Sequence, residues 1–571
     1  MSNKCSRSRV TEGFVHTDGT RMLNGKGEQI VLRGWGAGNW TNPEGFMVGG
    51  TQPFGGAYNQ AKLLDRARSM EWLVQDLCGT EYNKRFWPQW YRKHLGEADI
   101  QAMADLGYNS VRLVLNAAAF LYEEPGITFN EDSFAMLDDV LDWCEKYQVY
   151  AILDMHAAPG GQSCGGCDNA RDNVPHLFLD EESWERAIRL WEEFARRYQD
   201  RWIVAGYDLL NEPLNAKEWF HLTPKLQEFY EECIRRIRAI DRNHMLTLEG
   251  TLWATQVSVF DRDYDPECHN WCIHIHNYGY TPEIREVQAM LERSRELNVP
   301  IWMGEGGSNN TANTIFLEML AQEGIGFALW CWKTAEKTNG EASDTRDCAP
   351  AEYQLPEGWQ QVFEYADHGG PKPGYEKSQR IFDELLENLD YKKCRHPEVR
   401  HQYVLRQPGI TIPGAGYDHG KAGEAFLGHW EGGNAFEYRL GDRVKLVVKP
   451  GGKRQGPQEM KGFVNSSPFE KIPAEEELWP ELSTGEFVHY TIRDVKEDCP
   501  VTLQVRALCD SVLIVSVGGQ ERRLELSKAS GQETGKVEAL TLPQGEAYAV
   551  RVEVEKGTIQ IASVEFGAKR D

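Results

Sequence analysis

Apolar runs of strand length alternate with segments of helical periodicity along most of the first 390 residues. Residues 183–198 and 229–240, for example, carry apolar side chains at the spacing of one helix face. Eight strand-like runs can be counted, at residues 32–35, 110–114, 150–156, 207–212, 245–249, 272–276, 299–305 and 326–330. Eight strands with helices between them predict an α/β fold, a closed (β/α)8 TIM barrel of parallel strands.

The pattern changes after Leu389. Residues 391–406 are polar and are predicted to be a linker, and Gly and Pro are frequent in residues 407–420. Short runs of alternating polarity follow, as at residues 487–492, 501–505, 512–517 and 549–554. They predict an all-β sandwich domain. The expected organisation is therefore a barrel over residues 1–390, a linker over 391–406 and a β-sandwich over 407–571.

The connection after the first predicted strand, residues 36–95, is much longer than an ordinary loop between a strand and a helix. It contains an amphipathic helical pattern near residues 63–77. Loops at this end of a barrel carry binding groups. We therefore expect this insertion to shape the substrate pocket.

The chain is strongly acidic, with a formal net charge of -25 from 87 acidic and 62 basic residues. This charge argues against nucleic acid or an anionic membrane as a partner and suits an uncharged substrate. The first residues lack the apolar stretch of a signal peptide, which predicts a cytoplasmic location, with a trimmed secreted form as the alternative. No oligomeric state is indicated.

The 13 cysteines are scattered and lie mostly inside periodic segments, as reduced thiols do. Cys164 and Cys167 have the spacing of a disulfide or of half a zinc site. No second pair of this kind follows, so a loop disulfide or free thiols are expected there, with no metal and no cofactor.

Polar and aromatic residues recur at the ends of the predicted strands. They are Arg112, His156, Asn211, Glu212, His276, Tyr278, Glu305 and Trp330. One such glutamate would more often be a surface or ion-pair residue, but the C-terminal ends of barrel strands converge on one mouth. Burying a cluster of this kind is costly unless it serves a function. Two carboxylates at the mouth can divide proton transfer and nucleophilic attack between them, as in glycoside hydrolysis.

Residues 14–389 resemble glycoside hydrolase family 5, whose members are retaining β-glycosidases on a (β/α)8 barrel. The most specific matches are LLNEP at residues 209–213 and WMGE at residues 302–305. The resemblance implies that Glu212 is the acid/base and Glu305 the nucleophile, and that the substrate is a carbohydrate. Residues 32–46, 157–162 with 168–169, and 330–334 resemble the exo-β-glucanase and β-glucosidase branch, but CGGC at residues 164–167 departs from it.

The same resemblance assigns the other strand-end residues to substrate binding. Arg112 would orient Glu305 and keep it ionised, and Asn211 would bind the sugar 2-hydroxyl. His156 matches a histidine at the end of the third strand, and His276 with Tyr278 matches a His-x-Tyr motif. Trp330 would lie under the sugar at the cleaved end.

The C-terminal region resembles a family 6-like carbohydrate-binding module, through GEFVHY at residues 485–490, LPQGEAY at 542–548 and IASVEF at 561–566. Trp430 and Trp479 are candidate sugar platforms, and core packing is the alternative.

The sequence thus predicts a retaining β-glycosidase, acting on β-glucosidic bonds from chain ends. An endo-acting β-glucanase of the same fold and a non-catalytic carbohydrate-binding protein are the alternatives. A metal hydrolase built on His274 and His276, which alternation sends to one face, together with Asp154 or His156, is a further one.

Overall fold

The computed structural model describes residues 11–49, 66–278, 284–307, 311–336, 349–397, 401–434, 438–452, 478–531 and 533–567. The chain divides into two compact units. The first unit comprises Met1–Tyr278, Val287–Ser308 and Gly324–Val399. The second comprises Gly279–Glu286, Asn309–Glu323 and Arg400–Asp571. The domain limits expected near residues 390 and 407 stay a prediction.

The first unit contains the predicted barrel. A hairpin of β1 (His16–Asp18) and β2 (Arg21–Leu23) precedes it. The barrel strands are β3 (Arg33–Gly36), β4 (Ser110–Asn116), β5 (Tyr150–Ala157), β6 (Val204–Asp208), β7 (Met245–Glu249), β8 (Trp271–Asn277), β9 (Ile301–Gly306) and β10 (Gly326–Leu329). All pair in parallel, and β10 closes on β3. This confirms the fold expected from the eight apolar runs.

Helices connect these strands. Their bounds are α1 (Ala67–Cys78), α2 (Thr80–His94), α3 (Glu97–Leu106), α4 (Ala117–Phe120), α5 (Glu131–Tyr147), α6 (Glu181–Tyr198), α7 (Thr223–Arg238), α8 (Thr251–Ala254), α9 (Gln288–Leu297), α10 (Thr311–Gln322), α11 (Trp359–His368), α12 (Tyr375–Asn388) and α13 (His401–Leu405). Two short parallel strands, β11 (Lys333–Ala335) and β12 (Ala351–Tyr353), follow β10. The long insertion after β3 thus contains α1 and α2. Residues 63–65 of the helix predicted there lie outside the described residues.

The fourth barrel strand is shorter than its apolar run predicts. We expected it to end at Glu212, but β6 ends at Asp208. Leu209 and Leu210 are fully buried although they are not in a strand. The backbone then turns, with φ of 44° at Glu212 and 54° at Leu214. The apolar run therefore marks a buried loop as well as a strand.

The second unit contains two antiparallel sheets, as predicted for the C-terminal region. The strands are β13 (Ile410–Pro413), β14 (Phe426–Leu427), β15 (Lys445–Val448), β16 (Leu478–Ser483), β17 (Phe487–Val495), β18 (Cys499–Ala507), β19 (Ser511–Val517), β20 (Gln520–Leu526), β21 (Gly535–Leu542), β22 (Gly545–Lys556) and β23 (Thr558–Phe566). One sheet has the order β15-β16-β23-β18-β21, with β13 also paired to β23, and the other β14-β17-β22-β19-β20. Alternate side chains of both sheets enter one apolar core, for example Leu513 and Val515 of β19.

The two candidate sugar platforms of this unit differ in exposure. Trp430 is 37% exposed and Trp479 is 9% exposed. Only the first therefore presents an indole to solvent. The resemblance to a carbohydrate-binding module stays a prediction.

Cys164 and Cys167 are free thiols, so free thiols and not a loop disulfide occupy that loop. Within the described part of the chain, no helix has the length and apolar character needed to cross a bilayer.

Candidate active site

The eight residues predicted from the strand ends come together at one end of the barrel. Most lie at the C-terminal end of a strand or just beyond it: His156 in β5, Asn211 and Glu212 after β6, His276 and Tyr278 at the end of β8, Glu305 in β9 and Trp330 after β10. Arg112 is different, because β4 continues to Asn116 and so Arg112 lies in the strand interior. Its long side chain nevertheless contacts two of the other predicted residues, Asn211 and Glu305.

Arg112 is the cationic centre of this end of the barrel. Its Nη1 donates to Glu305 Oε2 at 3.0 Å and its Nε to Asp208 Oδ2 at 3.0 Å. Its Nη2 donates to Asn211 Oδ1 at 2.7 Å and to Glu249 Oε1 at 3.1 Å, and lies 3.2 Å from Asp154 Oδ1. Burial alone would lower the pKa of this guanidinium, but the surrounding carboxylates raise it well above its usual range.

Glu305 is kept ionised by its neighbours. Burial opposes ionisation, but His276 and Arg112 lower the pKa of Glu305 below its ordinary value. Tyr278 OH also donates to its Oε1 at 2.7 Å. A buried carboxylate that accepts two hydrogen bonds beside positive charge is ready to attack an electrophilic carbon.

Glu212 has the opposite character. Burial raises its pKa, and the charges of Glu305 and Glu249 add to that effect against an opposing hydrogen bond from His276. His276 Nδ1 lies 2.7 Å from Glu212 Oε1, and Glu212 N donates to Glu249 Oε2 at 2.6 Å. Asn215 Nδ2 approaches the other oxygen, Oε2, at 3.5 Å. Two carboxyl groups whose pKa values are pushed apart are suited to separate roles.

His276 connects the two glutamates. Its Nε2 lies 3.3 Å from Glu249 Oε1 and 3.8 Å from Glu305 Oε2. Burial alone would lower the pKa of His276, but Glu249 and Glu305 raise it well above its usual range. One carboxylate oxygen of Glu212 lies within 4.8 Å of one of Glu305. The glutamates are therefore near enough to act on a single bond.

Asn211 has one amide atom in use and one available. Its Oδ1 accepts from Arg112, whereas its buried Nδ2 has no hydrogen-bond partner among the described residues. Gln162 Nε2 donates to the main-chain oxygen of Asn211 at 2.8 Å and fixes the loop. A buried donor without a partner beside the two glutamates suits a ligand hydroxyl.

His156 and Trp330 pack against each other at the mouth of the barrel. Their rings are stacked, with centroids 5.3 Å apart and planes inclined by 4°. His156 Nδ1 donates to Asp154 Oδ2 at 2.8 Å. Burial opposes its protonation, but Asp154 raises the pKa of His156 to about 10, so this side chain is a second cation at the mouth.

Apart from the metal-hydrolase alternative, which included Asp154, sequence reasoning assigned no role to several residues that the structure adds to the site. Glu44, in the long insertion, lies 3.7 Å from His156 Nε2, and burial raises its pKa to about 7. Asp154 lies within β5 and Asp208 is the last residue of β6, and a carboxylate in a fully buried strand is a signal that could have identified both. Burial opposes ionisation of Asp208, but His274 and Arg112 lower its pKa to about 2. Glu44 lies within the segment 32–46 that carries the resemblance, but that resemblance assigned it no role.

Metal-ligand geometry also exists here. The donor atoms of Glu249, His274 and His276 lie within 4.8 Å of one another. The two histidine rings are 4.9 Å apart, as the alternation of the strand predicts. However, Arg112 occupies a hydrogen-bonding position on Glu249, and His274 Nδ1 lies 3.0 Å from Asp208. A guanidinium this close disfavours a second cation.

Comparisons with known proteins agree with this geometry. Residues 73–336 match the model of Cellulase (glycosyl hydrolase family 5). A β-xylosidase of Phanerodontia chrysosporium is 29% identical over 311 residues, 52% of this chain and 61% of that protein. A glucan 1,3-beta-glucosidase 2 of Wickerhamomyces anomalus is 26% identical over 287 residues, 49% of this chain and 62% of that protein. An endoglucanase C of Acetivibrio thermocellus is 28% identical over 155 residues, 27% of this chain and 42% of that protein.

The matched regions span less than two thirds of each relative's length. The family model, over residues 73–336, covers seven of the eight barrel strands, β4 to β10, and both glutamates, Glu212 and Glu305. The barrel is therefore similar to the domain of glycosyl hydrolase family 5.

Proposed function

We propose that this protein is a retaining β-glycosidase that uses Glu305 as nucleophile and Glu212 as acid/base. The observation that carries the proposal is the separation of the two carboxylates, whose nearest oxygens lie within 4.8 Å. Retaining enzymes hold these groups about 5–5.5 Å apart, whereas inverting enzymes leave about 6.5–9.5 Å for a water molecule. The separation therefore supports double displacement.

The reaction follows from the two protonation states. Glu305 attacks the anomeric carbon while protonated Glu212 gives its proton to the departing glycosidic oxygen, so the C–O bond breaks and a glycosyl ester forms. Glu212, now a carboxylate, takes a proton from water, and the hydroxide attacks the same carbon. The C–O bond to Glu305 breaks, the sugar leaves with its original configuration, and Glu212 is protonated again.

The surrounding groups support each step. Arg112 and Tyr278 donate hydrogen bonds to Glu305 and stabilise its charge before attack and after release. His276 donates to Glu212 and would stabilise the carboxylate that forms when the proton leaves. Asn211 Nδ2 is a donor for a hydroxyl of the bound sugar, and Trp330 offers an aromatic face.

We propose a β-linked glycan or glycoside of glucose or a related sugar as substrate, cleaved from the chain end. The names of the relatives refer to β-xylosides and β-glucans, and to exo and endo action alike. Exo action is supported by the resemblance of residues 32–46, 157–162 and 330–334 to the exo-acting branch. Endo cleavage of a polymer is the second candidate.

The decisive experiment compares Glu305→Ala with Glu212→Ala on an activated aryl β-glycoside, with and without azide. Glu305→Ala is expected to lose about 10⁴-fold or more of its turnover. Azide can then enter the vacated space and attack from the nucleophile's side, giving an α-glycosyl azide. Glu212→Ala still forms the ester, which azide opens to a β-glycosyl azide.

The configuration of the two products, read by NMR, is the readout, so each variant is the control for the other. Two azides of the same configuration would contradict the division of roles. Wild-type turnover in Glu305→Ala would contradict the proposed nucleophile. Binding of glycans without hydrolysis by the unmodified protein would favour a non-catalytic carbohydrate-binding protein.

A further inference from the structure

The two oxygens of the Glu212 carboxyl group have different partners. Oε1 lies 2.7 Å from His276 Nδ1, which binds it closely. Among the described residues, the one donor that reaches Oε2 is Asn215 Nδ2, at 3.5 Å. An ordinary N–H···O hydrogen bond measures about 2.7–3.2 Å, so Asn215 is within reach of Oε2 without binding it strongly. Oε2 is therefore the oxygen that can carry the proton of the acid.

The orientation of the Asn215 side-chain amide is fixed by a main-chain donor. Asn215 Oδ1 accepts from the main-chain N–H of Trp253 at 2.8 Å. Because the amide oxygen faces this donor, the NH₂ group of the same amide faces the other way, toward Glu212. Asn215 is 7% exposed, and its main-chain N donates to Ser163 O at 2.9 Å. Both the backbone and the side chain of Asn215 are therefore held in place.

The segment that supplies this N–H group has an unusual backbone. Leu252, Trp253 and Ala254, which follow β7, have φ of 56°, 58° and 53°. Successive non-glycine residues in the left-handed region are rare, because their Cβ atoms come too close to the following carbonyl oxygens. Strained backbone of this kind persists only where the surrounding structure holds it, and it is concentrated at functional sites. The bond to Asn215 connects this strained turn to the acid/base.

The second hydrogen of the Asn215 amide faces a thiol. Asn215 Nδ2 lies 3.8 Å from Cys167 Sγ. Burial, together with the charges of Glu212 and Asp168, raises the pKa of Cys167 well above its usual range, so the thiol stays neutral. A neutral thiol is a weak acceptor and does not compete for the amide as a carboxylate would. Cys167 belongs to the CGGC segment that departs from the exo-acting branch, so this arrangement does not come from that resemblance.

The reaction changes the charge on Oε2. When Glu212 gives its proton to the glycosidic oxygen, negative charge appears on the oxygen that Asn215 faces. Hydrogen bonds to an ionised acceptor are shorter and about twice as strong as those to a neutral one. The contact of 3.5 Å can therefore tighten when the proton leaves. Asn215 then stabilises the product of proton transfer more than it stabilises the acid.

We propose that Asn215 is a positioning residue of the acid/base. It leaves Oε2 as the oxygen that carries the proton, and it stabilises the carboxylate that forms there when the proton has been transferred. Asn215 itself exchanges no proton, since the proton passes from Glu212 to the leaving oxygen and is later replaced from water. The proposal rests on the proposed glycosidase function.

Other ionisable groups also act on Glu212. His276 favours its ionised form, whereas Glu305 and Glu249 disfavour it. Glu44, in the insertion after β3, and Cys167, in the loop after β5, also interact with its charge. All of these groups stay unchanged when Asn215 is substituted, so a change in pH dependence can be attributed to Asn215.

The test uses Asn215→Asp, which keeps an oxygen for the Trp253 N–H but replaces the donor to Glu212 with a carboxylate. Asn215→Leu removes both contacts. Asn388→Asp is the matched control, because it adds the same charge on α12, where the native amide donates to Gln354 O. Each variant is assayed on two glycosides of one accepted sugar. The 2,4-dinitrophenyl leaving group needs little protonation, whereas the phenyl leaving group depends on it.

Both Asn215 variants are expected to lose about tenfold in kcat/KM on the phenyl glycoside, the worth of one hydrogen bond to a charged group, and little on the dinitrophenyl glycoside. The basic limb of the pH–kcat/KM profile reports the loss of the proton from Glu212. It should move to higher pH, because the carboxylate loses a donor in both variants and gains a like charge beside it in Asn215→Asp. Asn388→Asp should keep the wild-type profile.

A merely structural role for Asn215 would give a different result. Asn215→Asp would then match the wild type, and Asn215→Leu would lose the same factor on both glycosides with its basic limb unmoved. Either result would overturn the proposal.

The titration of Glu212, read by carbon-13 NMR of side-chain-labelled glutamate and assigned with Glu212→Gln, separates this proposal from the previous one. A higher pKa of Glu212 in Asn215→Leu supports the role of Asn215 even if the protein hydrolyses neither glycoside, which would refute the glycosidase function alone. An unchanged pKa of Glu212 in Asn215→Leu overturns the role of Asn215.

Discussion

At the scale of single residues, Arg112 maintains the charge balance of the mouth. Four carboxylates, those of Asp154, Asp208, Glu249 and Glu305, lie within 3.2 Å of its guanidinium nitrogens. The planar guanidinium has several N–H donors and can bind these carboxylates together, whereas a lysine ammonium is a single point charge. The pKa of Glu305 therefore depends on the shape of this side chain as well as its charge.

We expect Arg112→Lys to reduce kcat by about 100-fold, the usual effect of losing one fixed donor at a site of charge development. Glu305 must be ionised to attack, and its pKa is lowered in the native protein. With weaker stabilisation that pKa rises, so the acid limb of the pH–kcat profile should move to higher pH. The measurement is kcat against pH on an aryl glycoside.

Tyr278→Phe is the comparison for Arg112→Lys, because it removes a neutral donor from Glu305 and leaves the cation. It should shift the acid limb in the same direction but by less. A profile in Arg112→Lys with its acid limb unmoved would contradict the role of Arg112 in keeping Glu305 ionised. Circular dichroism of both variants checks that the barrel remains folded.

Not every residue of the mouth could be predicted from sequence. Glu212 and Glu305 follow apolar runs, so a rule about strand ends finds them. Glu44 lies in the insertion after β3, and its contact with His156 depends on how that loop folds across the barrel. Such contacts arise from tertiary structure and leave no periodic pattern in the sequence.

At the scale of elements, hydrophobic patterning located all eight barrel strands but not all their ends. The β7 strand begins and ends where the pattern predicts, at Met245 and Glu249. For β6 the pattern predicts too long a strand, because buried Leu209 and Leu210 continue the apolar run beyond the strand into a loop. Burial and strand geometry usually coincide in a parallel barrel, and the pattern reports only burial.

The close approach of β3 to the segment after β10 leads to a prediction about Gly36. A Cβ atom at Gly36 would lie 2.7 Å from Trp330 Cε3, so the indole would have to move. Displacing a buried side chain in this way costs about 1–3 kcal/mol, or a tenfold or larger loss if it falls on substrate binding. We expect Gly36→Ala to raise KM on an aryl glycoside more than it lowers kcat.

Gly374→Ala is the control for Gly36→Ala, since a Cβ there meets nothing within 4 Å. It should leave both kinetic constants and the Tm close to those of the wild type. If Gly36→Ala also keeps a normal KM, then Trp330 does not form the sugar platform that the fold suggests.

At the scale of the whole molecule, the two units share the chain in an unusual way. Helix α10 belongs to the second unit, although it lies in sequence between barrel strands β9 and β10. Glu318 on α10 accepts from Arg493 on β17 at 2.6 and 2.8 Å, and Glu318 is 2% exposed. His419 Nε2 also lies 2.8 Å from Glu323 Oε1, just after this helix.

The last prediction follows from that buried ion pair. Arg493→Met leaves the Glu318 carboxylate without its guanidinium, which should cost about 1–3 kcal/mol in the free energy of unfolding. Because α10 follows β9, which carries Glu305, in the sequence, thermal loss of glycosidase activity should move to lower temperature together with the melting transition. Arg523→Met, which removes an exposed pair with Glu555, is the control and should change stability by less than about 0.5 kcal/mol.

Adding Glu318→Gln to Arg493→Met should recover part of the loss, since a neutral amide is less costly to bury than a charge. Activity that outlasts the melting of the second unit in Arg493→Met would show that the barrel keeps its structure without help from α10.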